Sequence, residues 1–231
     1  MEHYLSGALK SVVLKEANEI KCKYGRFIPN YEFDSPRQKY RPSWEFFNNG
    51  QLYSMYLEKP YEMDIIYPDP ILNGQRFKGE MVTFYQNGNI KRLFPYYGKI
   101  SGYWSEEDEY DMAEYMHINL WGEEYVVKPR CIFFDENSRM IKSLILGYRD
   151  EVVIPTKYGD IKTKVGFSLY EDGKLRTLEP VFGTKIQING KTYEPFDFYA
   201  TNIHADNNSM WFDKEGNIIK LKTVRGELVE F

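Results

Sequence analysis

The chain has only two cysteines, Cys22 and Cys131, and three histidines, His3, His117 and His204, among its 231 residues. Two cysteines far apart in sequence give neither a disulfide framework nor the spacing of a zinc site, so reduced thiols in a cytoplasmic protein are expected. With so little histidine there is no His-Glu-x-x-His pair. The nucleophile elbow Gly-x-Ser-x-Gly, the phosphate loop and the dinucleotide fingerprint are absent too. No apolar run approaches the roughly 18 residues of a membrane span. Met1 to Gly7 lack the basic start and apolar core of a signal peptide. A basic surplus is also missing. Thirty Lys and Arg face 34 Asp and Glu, for a net charge of −4 and a pI near 5.6. A general nucleic-acid binder would carry the opposite balance.

Aromatic residues are abundant, at 17% of the chain with 20 Tyr and 15 Phe. Aromatics favour strands and half-buried sheet faces. One phrase organises them. Phe84-Tyr85-Gln86-Asn87-Gly88-Asn89-Ile90-Lys91-Arg92-Leu93 reads as an aromatic strand, an Asn-Gly turn and a returning strand. The same phrase recurs at 46–55, 169–178 and 211–221, and its second half recurs from Gly7. A further copy, Phe133 to Leu144, has lost its glycine and lengthened its loop. The copies follow one another about every 40 residues, a period that marks stacked units too small to bury an apolar face alone.

A second hairpin signal turns at an aromatic-Gly pair: Ile20 to Ile28 around Tyr24-Gly25, and Ile154 to Ile161 around Tyr158-Gly159. Looser copies turn at Trp121-Gly122 and Asn189-Gly190. After each first-type turn the apolar pair falls three apart, as in Leu52/Met55, Ile90/Leu93 and Leu175/Leu178. Residues three apart in a regular strand face opposite ways. Either both faces are covered or a bulge after the turn restores one face; the three-residue loop with a left-handed glycine favours the bulge.

The prolines of 29–43 read as a long loop, and those of 60–79 as a loop or an irregular hairpin. Ser105 to His117 is the helix candidate, with Ser105 and Asp108 as a capping-box-like pair and Tyr110, Ala113 and Met116 on one face. The expectation is a single domain over 1–231, all-β and mostly antiparallel. Consecutive hairpins form an elongated, twisted open sheet with one short helix near 105–117; a closed or two-sheet barrel is the alternative.

The aromatic–x–Asn–Gly–x–Leu phrase at 44–57, 82–94, 131–146, 167–178 and 210–223 resembles the bacterial variant of the MORN repeat. The intervening Tyr-Gly hairpins and the longer period depart from the short MORN unit. They make the whole chain more similar to uncharacterised clostridial-type double-hairpin repeat proteins. That resemblance implies an antitoxin or immunity-like role in binding another protein, and it transfers no catalytic residue.

No catalytic residue, metal or cofactor is assigned. His204-Ala205-Asp206 reads as a polar loop pair, and the acidic run Glu106 to Glu109 as the dipole-favoured start of a helix. The function read from the sequence is non-enzymatic binding of a protein partner, with a carbohydrate-binding module or carbohydrate-acting enzyme as the competing class. The site is expected where the repeat breaks, between Pro95 and about Pro129. Tyr97, Tyr103, Trp104, Glu107 and Tyr110 are expected together there as a concave sheet–helix surface, with Trp121 nearby and His204 and Asp206 in a second break.

Overall fold

The computed structural model describes residues 1–32, 41–65, 77–96, 105–200 and 207–231. The chain divides into two compact units, Met1–Lys128 with Phe133–Arg139, and Pro129–Ile132 with Met140–Phe231. Both are built of antiparallel strands, and one helix is present among the described residues.

The first unit's sheet runs in sequence order through β1 (Glu2–His3), β2 (Leu9–Val12), β5 (Trp44–Phe46), β6 (Leu52–Met63), β7 (Phe77–Phe84) and β8 (Ile90–Phe94). Two separate hairpins accompany it: β3 (Ile20–Cys22) with β4 (Gly25–Phe27), and β9 (Met116–Leu120) with β10 (Glu123–Val127). Helix α1 (Glu106–Met112) precedes β9, and β11 (Cys131–Phe134) contributes residues to both units.

The second unit orders β12 (Ile141–Ile145), β14 (Gly159–Leu169), β15 (Leu175–Pro180), β18 (Met210–Phe212), β19 (Ile218–Lys222) and β20 (Leu228–Glu230), with β13 (Val152–Thr156) also paired to β14. Its separate hairpin is β16 (Ile186–Ile188) with β17 (Lys191–Tyr193).

The turns explain the apolar spacing. In the Asn-Gly turn, Tyr85 N–H donates to the Asn89 carbonyl and Gly88 N–H to the Tyr85 carbonyl. The same two bonds close the turns at Tyr4, Phe47, Tyr170 and Asp213. Each glycine takes a left-handed φ, 77° at Gly88 and 83° at Gly50, which a Cβ would disfavour. The residue after the first returning position is then skipped. Phe84 opposes Ile90 while Thr83 opposes Arg92, leaving Lys91 unmatched. Lys10, Tyr53, Arg176 and Ile219 are skipped likewise. The bulge expected from the sequence is therefore present in five copies, and it returns the apolar pair to one face. Met55, Leu93, Leu178 and Leu221, the second members of four of those pairs, are completely buried, and Val12, that of the first copy, is half-buried. The intervening pair faces the other way and is polar: Ser54 Oγ donates to Glu45 Oε2 at 2.6 Å, and Ser168 pairs with Thr177 at 2.6 Å.

A turn with the same two bonds also joins β19 to β20, from Thr223 through Gly226 to Glu227. The sequence reading missed it because no aromatic precedes it. In the copy without glycine, Arg139 adopts φ 61° two residues before Ile141, the place Gly88 holds before Ile90.

Three tyrosines tie successive copies together. Tyr4 Oη donates to the Phe46 carbonyl at 2.7 Å, Tyr85 Oη to Phe134 at 3.0 Å, and Tyr170 Oη to Phe212 at 2.7 Å. Tyr occupies this place in alternate copies, and each bond runs to the copy that follows.

Candidate functional site

Helix α1 forms, but it is shorter than expected. It ends at Met112, and Met116 and His117 belong to strand β9. The capping box closes through an aspartate: Ser105 Oγ accepts from Asp108 N–H at 3.1 Å and Asp108 Oδ2 accepts from Ser105 N–H at 3.0 Å. The helix buries none of its side chains and has no basic residue in its last turn, so nothing carries it beyond two turns. Met116, assigned to the helix face from its spacing, is buried in the β9–β10 pair opposite Val127.

Of the expected site residues, Tyr97, Tyr103, Trp104, His204 and Asp206 lie outside the described residues. Glu107 is exposed on the first turn of α1. Tyr110 is half-buried; its carbonyl accepts from Lys128 Nζ at 2.9 Å, and the same ammonium lies over the Tyr110 ring at 4.6 Å and the Tyr115 ring at 4.8 Å. Lys128 follows β10, at the open end of the β9–β10 hairpin. Trp121 sits at its tip, with its ring edge-on to Tyr125 at 6.1 Å. The hairpin thus holds Trp121 and the α1 residues at opposite ends, roughly 16 Å apart over five residue pairs.

The Lys-Tyr-Gly hairpins turn out to be clamps. Tyr24 Oη donates to the Gly88 carbonyl at 3.0 Å and accepts from Ile90 N–H at 3.1 Å, and Lys23 Nζ donates to Asn89 Oδ1 at 3.1 Å. The Tyr24 ring stacks on Phe84 at 5.9 Å. In the second unit Tyr158 Oη accepts from Ile218 N–H at 3.1 Å and Lys157 Nζ donates to Asn217 Oδ1 at 3.0 Å. The looser copies differ in the turn itself. Trp121 and Gly122 take φ 54° and 84°, and Asn189 and Gly190 take 51° and 76°, the mirror-image turn with two left-handed residues. Beside the first clamp lies a cavity of about 170 Å³ lined by Lys23, Tyr24, Asp64, Ile65, Asn89, Ile90, Phe134 and Arg139.

The second unit carries an exposed aromatic cluster. Phe182 and Phe196 rings meet edge-on at 5.2 Å, Phe196 and Phe198 at 4.9 Å, and Phe182 and Phe198 lie 6.0 Å apart. Phe182 is 63% exposed, Phe198 66% and the adjoining Tyr199 81%. These side chains point outward because Asp197, between two of them, is held inward. Its N–H donates to Glu179 Oε1 at 2.8 Å, and its Oδ2 accepts from Lys222 Nζ at 2.7 Å.

Glu179 itself is fully buried. It also accepts from Ser209 N–H at 2.6 Å and Ser209 Oγ at 3.2 Å. Burial outweighs these three donors and raises its pKa to about 7, with the Asp197 charge adding to the rise. One carboxylate therefore joins β15, the 194–200 segment and the entrance to β18. Phe196 N–H and Val224 N–H complete the seam, donating to the Lys222 and Glu194 carbonyls. Phe182 stands on a tight turn where Gly183 takes φ 85° and Thr184 Oγ1 bonds the Val181 carbonyl at 2.7 Å.

The sequence reading missed the three exposed aromatics, Phe182, Phe198 and Tyr199, and the half-buried Phe196 between the two phenylalanines. Pro195-Phe196-Asp197-Phe198-Tyr199 has the composition of a buried strand. The signal was the isolated Asp between two Phe, which makes the acid and the rings face opposite ways.

No helix among the described residues is long and apolar enough to cross a membrane. Comparison with known protein families, with characterised proteins and with solved structures finds no match to this chain.

Proposed function

We propose that the chain is a binding protein that acts by occupying another protein's surface, as the antitoxin or immunity-like reading of its repeats implies. The observation that carries this is the cluster of exposed Phe182, Phe198 and Tyr199 around half-buried Phe196, held on a braced backbone. Contiguous exposed apolar surface on a folded protein marks an interaction site. Rigid aromatic anchors supply most of the contact energy at such sites because little side-chain entropy is lost when they are covered.

Ring geometry favours a protein partner over a sugar. A sugar ring is best held against a flat aromatic face, whereas Phe182/Phe196 and Phe196/Phe198 meet at 84° and 78°. Edges and faces presented together form a knobbed surface that fits side chains.

The experiment is a paired screen of the wild type and a Phe182→Ser/Phe198→Ser variant, by affinity capture with quantitative proteomics and on a glycan array. The proposal expects a protein captured by the wild type and lost with the variant. Glycan binding lost with the same variant would favour the carbohydrate reading instead.

A further inference from the structure

We propose that the cavity beside the first clamp binds a small apolar zwitterion, with an apolar α-amino acid as its simplest natural occupant. The inference rests on residues of the first unit alone and is independent of the aromatic cluster. The cavity's volume of about 170 Å³ is that of a space able to hold a benzene-sized guest. Its apolar wall is Ile65, Ile90, Phe134 and the Tyr24 ring; its polar members are Lys23, Asn89, Asp64 and Arg139.

Lys23 and Asn89 satisfy each other. Asp64 and Arg139 do not: neither side chain forms an ion pair or hydrogen bond among the described residues. Asp64 is held in place by its backbone, whose N–H donates to the Tyr24 carbonyl at 2.9 Å. Both side chains are solvent-exposed, so one exposed cation and one exposed anion border an apolar interior. A guanidinium takes a carboxylate through two parallel hydrogen bonds, and a carboxylate takes an ammonium. A ligand with both groups on one carbon and an apolar side chain matches all three demands.

A second observation points to the same place. Arg139 is the residue that replaces the turn glycine, and it holds φ 61°, a strained choice for a side chain with a Cβ. The turn asks only for glycine at this place, and the side chain that stands there instead lines the cavity.

The test is isothermal titration calorimetry with L-leucine and L-phenylalanine, beside 4-methylpentanoate, which lacks leucine's amine, and 3-methylbutylamine, which lacks its carboxylate. At least one amino acid is expected to bind, with both truncated analogues about tenfold weaker or worse. Arg139→Gly, which suits the left-handed turn, is expected to melt at the same or a higher temperature while losing about tenfold or more in affinity. Asp64→Asn should abolish the preference for the amino acid over 4-methylpentanoate. Absence of binding by both amino acids, equal binding of 4-methylpentanoate to the wild type, or wild-type affinity in Arg139→Gly would each overturn the proposal.

Discussion

Single residues decide where this chain bends. Gly166 follows Val165, itself at φ 70°, and takes φ 155° where β14 pairs with β12. A Cβ there would run into the Leu144 carbonyl and reach Ile145 Cα at 3.2 Å, both backbone atoms that cannot step aside. Gly166→Ala should therefore destabilise the protein by about 3 kcal/mol, from overpacking and backbone strain together. Chemical denaturation checks this, with Gly173→Ala as a comparison that has open space around its Cβ and only the φ penalty of about 1 kcal/mol. The turn glycines were legible in the sequence because an aromatic, an Asn or Asp and a Leu or Ile surround them. Gly166 was not. Val165-Gly166 falls inside what reads as one continuous strand, and the need for glycine comes from the β12 backbone, which no local pattern records.

Among the elements, the hairpins are organised by reciprocal contacts whose code is present in the sequence. Lys-Tyr-Gly occurs at 23–25 and 157–159, and the turns these clamps grip are the two that contain Gly-Asn-Ile, at 88–90 and 216–218. Tyr also alternates with Phe or Asp at the start of successive turns, which marks the three tyrosines that bond the next copy. Both regularities went unread because neither is a periodicity of polarity; each becomes visible only when the copies are aligned and a polar atom is followed to its partner. Tyr24→Phe keeps the ring against Phe84 but removes the hydroxyl that serves Gly88 and Ile90. It should cost about 1–2 kcal/mol, since a backbone N–H is left without its acceptor. Tyr85→Phe, which removes one bond to a carbonyl, should cost about 1 kcal/mol. Urea denaturation of both variants tests the order; a larger loss for Tyr85→Phe would contradict the clamp's role.

The helix was legible as an element and not in its extent. Its start is encoded locally by Ser105 and Asp108, whereas its end is set by Met116 finding burial opposite Val127. Long-range burial of that kind overrides the three-residue spacing that placed Met116 on a helix face.

For the whole molecule, stability and recognition meet at Glu179. Its folded pKa of about 7 stands above the ordinary 4.5, so the folded chain holds this proton more tightly than the unfolded chain does. Stability from this group is complete below pH 4.5 and declines as pH rises to about 7, where the buried carboxyl ionises. The loss is on the order of 3 kcal/mol across that window. Asp197 N–H and Ser209 N–H and Oγ donate to this carboxyl, and Lys222 Nζ donates to Asp197 beside it. Glu179→Gln should flatten the decline in melting temperature across the same range. An unchanged pH profile in the variant would refute the assignment. The all-β, antiparallel hairpin architecture was legible from the repeat. The aromatic cluster was not, because its outward aim depends on an acid 18 residues earlier in the chain.

The central claim is that Phe182, Phe196, Phe198 and Tyr199 form a surface for a protein partner. Its most direct measurement is the affinity of that partner, once captured, for the wild type and for Phe182→Ser/Phe198→Ser, with both melting temperatures recorded. The account predicts an affinity loss of at least about thirtyfold, as for truncated hot-spot residues near 2 kcal/mol, with nearly unchanged melting because both rings are mostly exposed. A partner that binds the variant and the wild type equally would contradict it.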